Sequence, residues 1–305
     1  MKQKIYDCFM FNNEIEILHA RIDYLYDVVD YFVICEAKVS HSRKIIKEEF
    51  NFIKHSDIFE KYMDKIIFLP IEDFPFISHD VAVGEWKNEN YQRKYLYNGF
   101  KDAEPDDIII ISDLDEIPFD KTIKNAINLL NNNEKLFIGT KQYLYYYYVN
   151  ILKNQIWEGT YITKKKYLGD DEITIKYVIQ HIRDNRENIN NIINDINCKY
   201  VIEKYLEQYG INSWTHYIGN ENEPGGVHYS WLKNIIKEKF LSIAEHDIIS
   251  EFNSDKHIDD CLTNISDLFN RNGIYGEQKL VILDENNSLS NINKMINLYP
   301  YLMYQ

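Results

Sequence analysis

Cysteine is scarce in this chain, and its placement carries no metal or disulfide pattern. Cys8, Cys35, Cys198 and Cys261 stand far apart without a C-x-x-C pair. That excludes a zinc ribbon and a disulfide framework. Cys8 and Cys35 fall inside apolar runs and read as buried thiols. Long hydrophobic runs are missing as well. No stretch approaches the roughly 20 apolar residues of a membrane span, and the opening MKQKIYDCFMF lacks the apolar core of a signal peptide. Positive charge is in deficit: 34 Lys and Arg stand against 48 Asp and Glu, a net charge of −14. Phosphate-backbone recognition needs a basic face, so a nucleic-acid-binding module is not expected. No fixed-period repeat is present. What remains is a soluble, cytoplasmic globular protein. Its 305 residues, 45% of them apolar, suit one large α/β domain with a sizeable core.

The most informative stretch is Asp107–Pro118, DIIIISDLDEIP. Four consecutive isoleucines bounded by polar residues are the pattern of a strand buried on both faces of a parallel sheet. Three carboxylates, Asp113, Asp115 and Glu116, follow at its carboxyl end, where open α/β sheets place their ligands. Like charges this close raise one another's pKa unless a cation neutralises them. Hard oxygen ligands suit Mg²⁺ or Mn²⁺. The plainer reading of a lone D-x-D is an acidic helix start; the isoleucine strand in front of it favours a site.

Before this stretch the pattern is strand, helix, strand: Ile5–Phe11, then Glu14–Tyr26 with apolar residues at Ile15, Leu18, Ile22 and Leu25, then Val28–Cys35. This opens a parallel sheet. Glu14 and Glu36 therefore fall at the same end as the acidic cluster, where a nucleotide is read. Glu48–Met63 is expected as a helix, Lys65–Pro70 as a third strand, and Trp86–Phe100 as a polar-aromatic helix whose Arg93 can hold a phosphate. Phe119–Leu130 reads as a helix, and Leu136–Leu152 and Gln155–Thr163 as strands. Gly169–Glu172 (GDDE) is an acidic turn, and Ile173–Tyr209 a helical segment. Pro224–Trp231, PGGVHYSW, brings two glycines beside His228 and Trp231. Glycine lets backbone approach a ligand closely. His228 is a competent third ligand beside carboxylates, and Trp231 can stack on a sugar face. Lys233–His246 and part of Glu251–Asn272 read as helices.

Several blocks together resemble glycosyltransferase family 17: IYDCFMFNNEIEILHARIDYLYDVVDYFVICEA, NENYQR, IIIISDLDEIP, WEGTYIT, GGVHYSW and YPYLMY. The best-known members are bisecting N-acetylglucosaminyltransferases of glycoproteins. The resemblance implies a GT-A fold, that is, a Rossmann-like, mostly parallel sheet flanked by helices. Here it would carry a helical insertion at about 173–212 and a helical C-terminal part, 232–305. Residues 1–305 form one domain, with 1–118 the nucleotide-binding half and 119–231 the acceptor-side half. The resemblance further implies a UDP-sugar donor, a glycan acceptor and inversion at the anomeric carbon. The family pattern is matched at Glu14, Arg21, Glu36, Arg93, Asp113, Asp115, Glu116, His228 and Trp231. Two departures stand out: there is no N-terminal membrane anchor like that of the Golgi members, and residues 170–223 do not follow the family pattern.

The expected chemistry follows. Asp113, Asp115 and His228 hold Mn²⁺ or Mg²⁺ against the donor diphosphate, as a Lewis acid for the leaving group. Glu14, Arg21, Glu36, Arg93, Asp113 and Trp231 line the donor site, with Arg93 or Arg21 either at the phosphates or ordering the carboxylates. A carboxylate base must face the acceptor hydroxyl from another element; Asp171 and Asp170 are the candidates, with Glu158 and Glu223 in reserve. The rivals are a haloacid-dehalogenase-type phosphohydrolase, which also places D-x-D after a strand, and a non-catalytic carbohydrate-binding protein on a transferase fold.

Overall fold

The computed structural model describes residues 2–75, 81–132, 135–184, 207–208, 215–243, 250–269, 280–282 and 297–304. Strands β1 (Ile5–Phe11), β2 (Tyr31–Ala37), β3 (Ile66–Ile71) and β4 (Ile108–Asp113) lie in the order β3-β2-β1-β4, all parallel. Ile108, Ile109, Ile110 and Ile111 have no solvent exposure, as a both-faces-covered strand requires. Helix α1 (Ile15–Leu25) links β1 to β2 and turns Ile17, Leu18, Ile22 and Leu25 inward. Arg21 is on that inward face too, one turn from Ile17 and from Leu25, so its charge needs a partner in the core.

The expected helix over Glu48–Met63 is instead three short pieces: Asn51–Lys54, Ser56–Phe59 and a 3-10 stretch, Glu60–Lys65. Phe52, Phe59 and Tyr62 are buried there, and the buried Glu36 carboxylate accepts from the Asn51 and Phe52 amides. A tertiary anchor thus sets where the first piece begins. Helix α2 runs Val81–Tyr95 and a further turn spans Tyr97–Phe100.

Beyond β4 the sheet changes character. β5 (Glu116–Pro118) follows the acidic turn and α3 spans Asp120–Asn131. β6 (Phe137–Tyr146) and the long β7 (Ile151–Lys164) form an antiparallel hairpin, and β7 pairs antiparallel with β4. The two strands read from the sequence are therefore divided differently, with Tyr147, at φ 63°, starting the reversal. Helix α4 (Glu172–Asp184) follows a short 3-10 turn; the rest of the expected helical insertion lies almost entirely outside the described residues. β8 (Thr215–Ile218) and β9 (Gly226–Ser230) both pair with β6 in parallel, and β9 pairs antiparallel with β5. The main path of the mixed sheet is β3-β2-β1-β4-β7-β6-β9-β5. The C-terminal part contains α5 (Ile236–Ser242), α6 (Asp255–Asn264) and β10 (Leu280–Ile282), a strand that pairs with β7.

A large core lines both faces of the sheet, and a smaller cluster of Tyr146, Tyr147, Ile236, Phe240, Ile258, Cys261 and Leu268 seats α5 and α6 on the far half. A buried ion pair, Lys153 to Asp267 at 3.1 Å, ties the same region to β7. No helix among the described residues is long and apolar enough to cross a membrane.

Candidate active site

In the parallel half, β2 lies on one side of β1 and β4 on the other. Connections leaving β1 and β4 go to opposite sides there, and a switch point of this kind is where such sheets form a ligand crevice at their carboxyl ends. Asn12–Glu14 leaves β1 at this point, and Leu114–Asp115 leaves β4.

Arg21 builds the turn after β4. Its guanidinium is fully buried and takes Asp7 of β1 through Nε at 2.9 Å and Nη2 at 2.6 Å. Nη2 also donates to the Ser112 hydroxyl at 2.6 Å, and Nη1 donates to the carbonyls of Asp113, Leu114 and Glu116 at 2.9, 2.9 and 3.1 Å. The planar fork suits such multiple acceptors. Arg21, expected either at the donor phosphates or ordering the carboxylates, lies beneath the turn and holds its backbone.

The three carboxylates of the turn have three different surroundings. Asp113, one-third exposed, receives Arg93 Nη1 at 3.1 Å, and Arg93 also pairs with Glu89 at 2.7 Å. Glu116 has no exposure; its carboxylate accepts from Trp157 Nε1 at 2.7 Å, the Asp113 amide at 3.1 Å and the Thr160 amide at 3.3 Å. It is a brace between β5, the turn and β7. A Cβ on Gly159 would come within 2.8 Å of the Glu116 carboxyl carbon, so any side chain there would have to displace the carboxylate. Asp115 meets two basic side chains at one oxygen: Lys239 Nζ at 3.0 Å and His228 Nε2 at 3.4 Å from Oδ2. Burial acts to raise the Asp115 pKa, but Lys239 and His228 outweigh it and hold the carboxyl well below its ordinary range.

Register explains His228. β9 pairs with β5 so that His228 stands opposite Glu116, and the Tyr229 amide donates to the Asp115 carbonyl at 2.9 Å. A Cβ at Gly226 would meet the Ile117 carbonyl at 2.5 Å, so the glycine before His228 permits this approach. The imidazole packs against Trp157 at 4.7 Å, and its Nδ1 has no hydrogen-bond partner among the described residues.

Lys239 was not singled out in the sequence. It lies on α5, 124 residues after Asp115, and nothing local marks it apart from Phe240 beside it. Trp231, at φ 54°, packs on Phe240 at 4.9 Å and Phe269 at 5.1 Å, with Lys239 Nζ 5.6 Å from its ring centre. Trp231 is thus a wall behind the lysine. Burial acts to lower the Lys239 pKa, but Asp115 and then Glu14 leave it raised. Glu14 accordingly borders the same crevice, its Oε2 taking the Asn13 amide at 3.1 Å.

Other expected residues fall elsewhere. Glu36 is at the correct strand end but turned inward, onto Lys47 at 2.8 Å and the Asn51 and Phe52 amides; burial, offset only in part by Lys47, raises its pKa. It braces the loop beside the crevice. Asp170 and Asp171 follow β7 and lie apart from these residues. β7 is antiparallel to β4, with Lys164 beside Ile108, so the chain leaves β7 at the amino end of β4, about 17 Å of strand from Asp113. Asp171 caps α4, accepting the Thr174 amide at 2.9 Å and hydroxyl at 3.0 Å. Glu158 alternates with Trp157 along β7 and so points to the other face, 3.8 Å from Lys141. Glu223 is in an exposed turn closed by Asn220.

The donor types at Asp113, Asp115 and His228 suit Mn²⁺ or Mg²⁺, but their arrangement does not. Arg93 holds one carboxylate, and Lys239 with His228 the other. Among the described residues no three His, Cys, Asp or Glu side chains converge as a metal-ligand set.

Residues 1–184 match Glycosyltransferase family 17. The β-1,4-mannosyl-glycoprotein 4-β-N-acetylglucosaminyltransferases of Rattus norvegicus and Homo sapiens are each 28% identical to this chain over 120 residues, 38% of its length and 22% of theirs. A crystal structure of 4-diphosphocytidyl-2C-methyl-D-erythritol synthase covers 59% of the chain and 86% of its own, with a TM-score of 0.34 and 10% identity, a likeness too distant to add to what the strand order shows. With more than half of its length matched to one family, including β1, α1, β4 and the acidic turn, the chain belongs to glycosyltransferase family 17.

Proposed function

We propose that the protein transfers a sugar, N-acetylglucosamine by analogy with the names of its relatives, from a UDP-sugar to a hydroxyl of a glycan. The observation that carries this is the Asp113–Glu116 turn at the β1/β4 crevice, braced from below by Arg21 and met from above by Lys239. In one inverting displacement the acceptor oxygen attacks the anomeric carbon while a carboxylate base takes its proton. The bond from that carbon to the diphosphate oxygen breaks, and its electron pair leaves with UDP. Charge grows on the diphosphate as it departs, so fixed positive groups aimed at it lower the barrier. The base belongs on the acceptor side, on an element other than β4.

The metal expected from the Asp113, Asp115 and His228 side chains has no part in the steps above, because the protein's own cations meet those carboxylates. The test is a panel of nucleotide sugars incubated with wild type and Asp115→Ala, with UDP release measured. Wild type is expected to consume a UDP-sugar, and Asp115→Ala to lose a factor of about 10² or more. Equal turnover by the two would sink the assignment. Turnover of p-nitrophenyl phosphate with all nucleotide sugars left intact would favour a phosphohydrolase instead.

A further inference from the structure

We propose that Lys239 is the residue that meets the donor diphosphate and supplies, without a divalent metal, the positive charge that holds it. This rests on the nucleotide-sugar reading of the site and goes beyond it by naming the cation.

The other cations near the turn are engaged in ways that fix structure. Arg21 is directed to Asp7, Ser112 and three carbonyls. Arg93 bridges Asp113 and Glu89, and Lys47 is held by Glu36 and the Asn12 carbonyl. Lys239 differs. An ammonium carries three donors, and Asp115 is its hydrogen-bond partner among the described residues. Its side chain is 17% exposed, against none for Arg21 and 4% for Arg93, so it is the least sealed of the three.

The surroundings also fix where the lysine stands. α5 is anchored by Ile236 and Phe240 in the smaller core cluster. Trp231 lies behind the ammonium, Asp115 orients it, and Ser42 of the loop after β2 donates to the Leu241 carbonyl. Glu14, on the β1 side of the crevice, and Asp113 add to the negative field around it. An incoming diphosphate brings further negative charge to a place already lined by Glu14, Asp113 and Asp115. It requires a cation there, and Lys239 stands where a metal bound to Asp115 would otherwise stand. Phosphate binding by a lysine as a point charge is well suited to this geometry.

The experiment is calorimetric titration of the full chain with UDP and with uridine, first in EDTA and then in MnCl₂. Wild type is expected to bind UDP in EDTA with an affinity within about threefold of that in Mn²⁺. Lys239→Met is expected to weaken UDP binding in EDTA by about 10- to 100-fold, the loss of a charge-assisted hydrogen bond. It should leave uridine, which has no phosphate, unchanged, and Lys239→Arg should keep most of the UDP affinity. Lys239→Gln, which can still donate to Asp115, carries the test if loss of the ammonium unfolds Lys239→Met. Binding of UDP by wild type only in Mn²⁺ would overturn the proposal and leave the nucleotide reading standing. UDP binding by Lys239→Met or Lys239→Gln equal to wild type in EDTA would do the same. Failure of wild type to bind UDP or uridine under both conditions would overturn both.

Discussion

Replacing Arg21 separates a structural brace from a ligand-binding charge. Arg21, itself without solvent exposure, makes six hydrogen bonds: two to Asp7, one to Ser112 and three to the carbonyls of the turn. Arg21→Met leaves the Asp7 carboxylate buried without its countercharge, which costs about 3–5 kcal/mol. The three carbonyls lose their donor as well, at about 1–3 kcal/mol each where water cannot replace it. These costs overlap, because the turn relaxes once its brace is gone. A loss of about 4–6 kcal/mol is therefore expected, a large part of the 5–15 kcal/mol typical of a domain. Arg21→Lys keeps the charge on Asp7 but cannot reach all the acceptors, so about half that loss is expected. Urea unfolding followed by tryptophan fluorescence measures both, provided the slope is unchanged. Arg21→Lys should also weaken UDP binding, since Asp113 and Asp115 ride on the loosened turn. A cost below about 1 kcal/mol for Arg21→Met would refute the reasoning.

Asp171→Ala should cost about 1 kcal/mol by removing the cap of α4 while leaving turnover unchanged; a hundredfold fall in kcat with the fold intact would restore Asp171 as the base. Gly159→Ala should destabilise the protein by about 1–3 kcal/mol, because the new methyl meets the Glu116 carboxylate and Gln142 Oε1 at 2.8 Å; a melting temperature equal to wild type would show that the brace can move aside. Burial, against the opposing pull of Glu89 and Gln92, lowers the pKa of His41, whose Nε2 lies 2.7 Å from Gln92 Oε1. The unfolded chain then binds the proton more readily, so stability should fall as pH drops through the ordinary histidine range toward the lower folded value. His41→Asn should flatten that slope in urea melts between pH 7.5 and pH 5, and an unchanged slope would count against it.

The parallel half of the sheet was legible because its signal is local. Four adjacent isoleucines with no polar alternation leave a strand no exposed face, and the strand–helix–strand opening places β1 and β2 next to it. The acidic turn, Glu14 and His228 were legible for the same reason, as charges and glycines at strand ends. What each carboxylate does was not. Glu36 and Glu116 look like site acids in the sequence, but tertiary contacts turn both inward, onto backbone amides, Lys47 and Trp157. Where Asp171 falls was not legible either, because it depends on strand direction. β7 returns from the hairpin with β6, runs antiparallel to β4 and delivers its following turn to the amino end of β4. Lys239 was hidden by distance along the chain. A lysine on a short amphipathic helix reads as a solvated charge until packing of Phe240 and Trp231 turns it toward Asp115.

The most direct test of the account is UDP release from a panel of nucleotide sugars, in the presence of candidate glycan acceptors, by wild type and Asp115→Ala side by side. The account predicts that wild type turns over a UDP-sugar and that removing the carboxylate which Lys239 and His228 share lowers that rate by about 10² or more. A wild-type protein that leaves every nucleotide sugar intact, or an Asp115→Ala variant as fast as wild type, would contradict it.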